Sequence, residues 1–154
     1  QSGIVLRSAA GRANLYRLNR DHLAARPIEE LASLRNALVA RLRERIAELQ
    51  PAPAGALLFG SVARGDAGPD SDVDLLVIRP DGCTAEDEAW RAQIERLPPD
   101  VFRWTGNDAR ILEVAAAETD GQEETLRNAL REGIELRDGS RDALRRAMRR
   151  RRSA

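Results

Sequence analysis

A Gly-Ser pair at 60–61 and an Asp-x-Asp at 72–74 stand ten residues apart, and each borders an apolar run. Ala56-Leu57-Leu58-Phe59 leads into the first, and Leu75-Leu76-Val77-Ile78 leads out of the second until Pro80 closes it. The pattern predicts two strands joined by a turn rich in Gly and Asp. Alternation along the second strand puts Asp72 and Asp74 on one face and Val73 on the other. Two carboxylates therefore stand side by side next to a buried strand. They repel each other, and the apolar neighbourhood makes their charge expensive unless something compensates it.

Divalent cations supply that compensation. Mg²⁺ is held by one or two carboxylates together with substrate phosphates, and two such ions about 4 Å apart activate an attacking oxygen and stabilise a leaving pyrophosphate. The Gly-Ser turn suits the phosphates. A glycine there lets backbone N–H groups come close, Ser61 adds a hydroxyl donor, and Arg64 is placed to pair with phosphate oxygens. A P-loop needs Gly-Lys-Ser/Thr, and all 25 basic residues of this chain are arginine, so that alternative is excluded.

The 154 residues have room for one main domain. With 42% apolar and 3% aromatic residues, its core is built from Leu, Val, Ile and Ala. No apolar run reaches the roughly 18 residues of a membrane span, no signal-peptide stretch opens the chain, and a cytoplasmic protein is expected. The single cysteine, Cys83, forms no internal disulfide and no cysteine-based zinc site. The net charge of zero hides a division: residues 1–50 carry +4, residues 51–138 carry −10 and residues 139–154 carry +6. The first residue is Gln1 and the only methionine is Met148, which reads as a piece of a longer protein.

Along the chain, Ile4 to Ser8 and Arg12 to Leu18 read as a β-hairpin around Gly11. Residues 27–50 read as one linker helix. Pro27 suits its first turn, and Ile28, Leu31, Leu34, Leu38, Leu42, Ile46 and Leu49 recur at steps of three or four, until Pro51 and Pro53 end it. That stripe serves a core or a homodimer seam. Thr84 with Asp87 resembles a helix start, and Trp90, Ile94 and Leu97 line the helix until Pro98-Pro99 stops it. A third strand is predicted at Arg110–Val114, a helix from about Gln122 to Arg131, a short strand at Ile134–Leu136 and a final helix from Arg141 to Arg152. The resulting division is 1–26 hairpin, 27–50 linker helix, 51–138 main domain and 139–154 basic helix and tail.

The stretch from Gly60 to Asp74 resembles the nucleotidyltransferase superfamily typified by DNA polymerase β, and within it the minimal nucleotidyltransferases, whose signature is Gly-Ser, ten residues, Asp-x-Asp. The resemblance spans about residues 28–138, including Arg131 to Leu136, which looks like the family's closing segment. It implies an α+β fold with a mixed sheet flanked by helices. It also implies transfer of a nucleotidyl group, AMP from ATP first, from a Mg²⁺-bound triphosphate to an acceptor hydroxyl. Family members usually add a third carboxylate from a neighbouring strand. Glu113 is the candidate because it lies inside the apolar strand, although an acid there also suits the solvent face of an edge strand; Asp108 and Glu118 lie nearer loop signals. The implied catalytic and metal-binding set is Asp72, Asp74 and Glu113, with Gly60, Ser61 and Arg64 holding the nucleotide.

The N-terminal hairpin, Gly3 to Asn19, looks like the wing of a winged helix-turn-helix domain whose helices precede this chain, with Arg7, Arg12 and Arg17 facing DNA phosphates. A plain structural hairpin fits the same residues. His22 reads as a local cap or surface residue, Trp90 and Trp104 as core, with Trp104-Thr105-Gly106-Asn107 before the third strand also placed to line the acceptor side, and Arg149 to Arg152 as a solvated tail or a nucleic-acid contact. Three functions stay open: a transferase, a DNA-binding regulator whose nucleotidyltransferase fold senses nucleotide or is inactive, and an antitoxin-like modifier of a protein partner. Protein, RNA and small-molecule acceptors are all compatible with the sequence.

Overall fold

The computed structural model describes residues 3–115 and 122–150 of the chain. It divides into two compact units, Gln1–Ala37 and Leu38–Ala154.

In the first unit, β1 (Val5–Ala10) and β2 (Ala13–Leu18) pair antiparallel from Val5↔Leu18 to Ala10↔Ala13. The two-residue turn places Gly11 at φ +59°, a left-handed conformation that glycine adopts without steric cost. Arg7 stands opposite Tyr16 and Arg17 opposite Leu6. Pairs one step apart alternate faces, so Arg7 and Arg17 lie on opposite sides of the hairpin and Arg12 at its tip. His22 accepts a hydrogen bond from the Ala24 N–H through Nδ1 at 3.0 Å, as a local cap does.

The helix expected over 27–50 is two helices, α1 (Ala25–Ala32) and α2 (Leu34–Ala47). Ser33 sits between them, and its hydroxyl donates to the Glu30 carbonyl at 2.7 Å, a local side-chain bond that competes with helix continuation. The apolar stripe divides at the same place: Leu31 and Leu34 are exposed, whereas Val39, Leu42, Ile46 and Leu49 are buried.

The second unit carries a four-stranded mixed sheet in the order β5-β4-β3-β6. β3 (Gly55–Phe59) pairs antiparallel with both β4 (Val73–Ile78) and β6 (Ile134–Glu135), and β4 runs parallel to β5 (Ala109–Val114). α3 (Gly60–Arg64) follows β3 directly, α4 (Glu88–Ile94) and α5 (Leu97–Thr105) make the β4-to-β5 crossover, and α6 (Glu123–Glu132) and α7 (Ser140–Arg150) follow. Asp87 caps α4 by accepting from the Trp90 N–H at 3.0 Å. Pro98 and Pro99 start α5 instead of stopping its predecessor. The first helical turn has backbone N–H groups without intrahelical partners, so proline costs nothing there.

Strand alternation assigns each side chain to one of two apolar layers. Ala56, Leu58, Val73, Leu75 and Val77 face the layer that contains Val39, Leu42, Ile46, Trp90, Leu97 and Val101. Leu57, Leu76, Ile78 and Val114 face the other, with Leu126, Ala129 and Leu144. Ser140 ties α7 to the sheet by accepting the Ala56 N–H at 2.9 Å. Trp104 receives the Arg41 guanidinium 5.8 Å from its ring centroid. Among the described residues, no helix is long and apolar enough to cross a membrane.

Candidate active site

The site grows out of one register. Phe59, the last residue of β3, pairs with Asp74 of β4. Gly60 then leaves the sheet beside the Asp74 carboxylate and opens α3. Its φ of +72° favours glycine, and a Cβ built there would collide with Asp74 Oδ2. The turn that the sequence assigns to phosphates and the carboxylates that it assigns to metal are thus adjacent. Gly60, Ser61, Asp72 and Asp74 come together at one end of the sheet.

The loop between them is held from within and from outside. Gly68 N–H donates to Ser71 Oγ at 2.8 Å, and Asn107 Nδ2 donates to the carbonyls of Pro69 and Ser71 at 2.6 and 3.0 Å. The Val73 N–H reaches the Asp108 carbonyl at 2.8 Å. Asn107 therefore fixes the approach to Asp72 from the start of β5. Only its place beside the turn before β5 hinted at this in the sequence. Asn107→Ala should weaken metal-dependent nucleotide binding several-fold with little change in melting temperature, as calorimetry and a thermal melt would show.

Burial pushes the Asp74 carboxyl above its ordinary range, and Asp72 pushes the same way against the pull of Arg110 and Arg64. Arg64, expected to face phosphates, donates to Asp66 Oδ2 at 3.0 Å and to Glu132 Oε1 at 2.8 Å. It braces α3 against α6. Asp72 pairs with Arg110 at 2.6 Å. The two carboxylates, one crowded by burial and by its twin, are an oxygen-donor pair of the kind that holds Mg²⁺.

Glu113 does not join them. It pairs with Val77 in the β4–β5 register, whereas Arg110 pairs with Asp74. Odd and even positions of β5 face opposite layers, so Glu113 lies on the other side of the sheet from Asp72 and Asp74. Its carboxylate binds Arg79, whose Nε donates at 2.7 Å and whose Nη2 also donates; the Arg79 side chain is only 5% exposed. The reason the sequence demanded for an acid in this strand is a buried guanidinium. Glu118 lies outside the described residues, and no cluster of three or more His, Cys, Asp or Glu side chains suited to a metal occurs among those described. Glu113→Ala should cost about 1.5–3 kcal/mol, the range for hydrogen bonds to charged groups, while leaving nucleotide affinity unchanged. A denaturant titration beside a binding isotherm reads both.

The profile of the nucleotidyltransferase domain family matches residues 39–132, from α2 through the Gly-Ser turn and the Asp-x-Asp to α6. The chain belongs to that family. The bifunctional uridylyltransferase/uridylyl-removing enzyme of Bordetella pertussis (strain Tohama I) is 36% identical to it over 142 residues. That span is 91% of this chain and 16% of the relative. The crystal structure of a mutant of the toxin–antitoxin MntA–HpeT matches with a TM-score of 0.52 at 14% identity, over 73% of this chain and 82% of that one. At that identity the likeness is one of fold. This nucleotidyltransferase domain has the mixed four-stranded sheet flanked by helices that its signature implies.

Proposed function

We propose that the domain transfers a nucleotidyl group, AMP from ATP, to an acceptor hydroxyl with release of pyrophosphate. The observation that carries this reading is the approach of Gly60 to Asp74, which sets a side-chain-free phosphate turn against a pair of carboxylates. Asp72 and Asp74 hold Mg²⁺, which when bound polarises the α-phosphate and neutralises the departing pyrophosphate. Gly60 leaves room for the triphosphate, and Ser61 donates its hydroxyl to a phosphate oxygen. Arg64 keeps α3 in place and adds positive charge nearby. The acceptor oxygen bonds to the α-phosphorus, the bond from that phosphorus to the bridging oxygen breaks, and the hydroxyl proton passes to water. A cytoplasmic setting, where Mg²⁺-ATP is abundant, belongs to the same reading.

A second reading rests on Arg110, which stands where a third acid would adjoin Asp74. With no acid there to take the acceptor's proton, the fold binds Mg²⁺-nucleotide and reports it to an attached DNA-binding or partner-binding segment. Incubation with α-labelled ATP, and in parallel with UTP because the relative is named for uridylyl transfer, separates the two readings. The acceptors tested would be proteins, RNA ends and small hydroxyl compounds. Pyrophosphate release with label on an acceptor supports transfer; metal-dependent binding without release overturns it in favour of sensing.

A further inference from the structure

Arg110 is not absorbed by the activity just proposed, and its position is unusual for a site that must collect cations. It pairs in register with Asp74, on the same face of the sheet, and its guanidinium lies 2.6 Å from Asp72 Oδ2. The carboxylate it grips is one that a metal ion would need. Arg64, the other cation acting on Asp74, is bound to Asp66 and Glu132 and serves the scaffold. Among the described residues no second carboxylate anchors Arg110, whose side chain is 76% exposed and lies on an edge strand. An arginine is always charged and binds phosphate through a planar fork, so one side chain suits either partner, a carboxylate or a triphosphate.

We infer that Arg110 is an exchangeable counter-ion: it occupies Asp72 in the nucleotide-free protein and moves to the triphosphate when a metal ion takes its place. This rests on the reading of Asp72 and Asp74 as metal ligands. A metal ion arriving alone must displace Arg110 and gives it no new partner. One arriving with a triphosphate does. Uptake of metal and nucleotide is therefore coupled, each favouring the other by the same factor. The coupling guards the carboxylates against ions that carry no substrate.

The test uses the full chain, Mn²⁺ as a spectroscopic substitute for Mg²⁺, and ATP. Free Mn²⁺ is read by electron paramagnetic resonance and ATP binding by calorimetry. Exposed ion pairs are worth little, so Arg110→Gln should bind Mn²⁺ alone only about three- to fivefold more tightly than wild type. With Mn²⁺ saturating, it should bind ATP about tenfold more weakly, the effect of one charge-assisted contact. Arg110→Lys keeps the charge but loses the fork, so its Mn²⁺ affinity should stay at the wild-type value while its ATP affinity falls part of the way. Unchanged or weaker Mn²⁺ binding by Arg110→Gln overturns the exchange, as does unchanged ATP binding. If wild type binds ATP with metal, Asp74→Asn does not, and Arg110→Gln behaves as wild type, the counter-ion role alone falls. If wild type takes up no ATP with Mn²⁺, the transferase reading falls with it.

Discussion

Asp74→Asn is expected to abolish metal-dependent nucleotide binding and transfer while making the metal-free protein harder to unfold at neutral pH. The two effects share one cause. Burial and the neighbouring Asp72 raise the folded-state pKa of Asp74 above its unfolded value. A carboxyl raised in this way destabilises the fold wherever it is ionised in both states, that is, above the folded pKa. The penalty shrinks as pH falls through that pKa and is gone below the unfolded one. Asparagine removes the charge at nearly the same shape, so its stabilising effect should be present at pH 7 and vanish in acid. Thermal melts at neutral and at low pH give the sign. A cation on the carboxylates reverses the order, since it stabilises wild type and not the variant. Wild type should therefore gain melting temperature with Mg²⁺-ATP, and Asp74→Asn should not. A variant less stable than wild type at pH 7 without metal would contradict this account.

Gly60→Ala is expected to lower transfer by at least about a hundredfold, the scale on which misplacing reacting groups by about 1 Å acts. Two costs combine. An alanine at φ +72° carries left-handed backbone strain of about 1–2 kcal/mol. Its methyl group would also press on the Asp74 carboxylate, and neither side can easily retreat, because Phe59 and Asp74 are paired in the sheet. Relief of the clash requires moving α3 or turning the carboxylate, and either movement would separate the proposed phosphate turn from the proposed metal ligands. Single-turnover kinetics with Mg²⁺-ATP measure the loss. Ser61→Ala, which removes one hydroxyl and no backbone freedom, should cost far less.

Much of this site is legible in the sequence because its spacing is local. Gly60 and Ser61 directly follow β3, Asp72 and Asp74 stand at the start of β4, and strand alternation alone puts the aspartates on one face. The facing of Glu113 is not local in this way. Its strand is readable, but which of its faces meets Asp74 depends on the β4–β5 register, and a parallel pair joined through two helices leaves no mark of register in a single sequence. The apolar residues around Glu113 signalled that the acid needs a partner, without telling a metal from Arg79. Arg110 carries no signal in the sequence, because an exposed arginine on an edge strand looks ordinary until Asp72 is beside it. The break at Ser33 and the start at Pro98-Pro99 show a similar limit: serine interrupts one helix through a bond to its own backbone, and proline opens a helix as readily as it closes one.

The direct pairing of β3 with β4 has an evolutionary side. Apart from Arg110, everything proposed to handle the triphosphate is contributed by one hairpin and its connecting loop, residues 55–78, whereas acceptor recognition has no assigned place in that segment. Changes that recruit a new acceptor can accumulate on the exposed faces of α4 and α5, away from Trp90, Leu97 and Val101, without touching the β3–β4 register that brings Gly60 to Asp74. A fold arranged in this way can keep its donor chemistry constant while its targets diverge, and selection can act on the two almost independently.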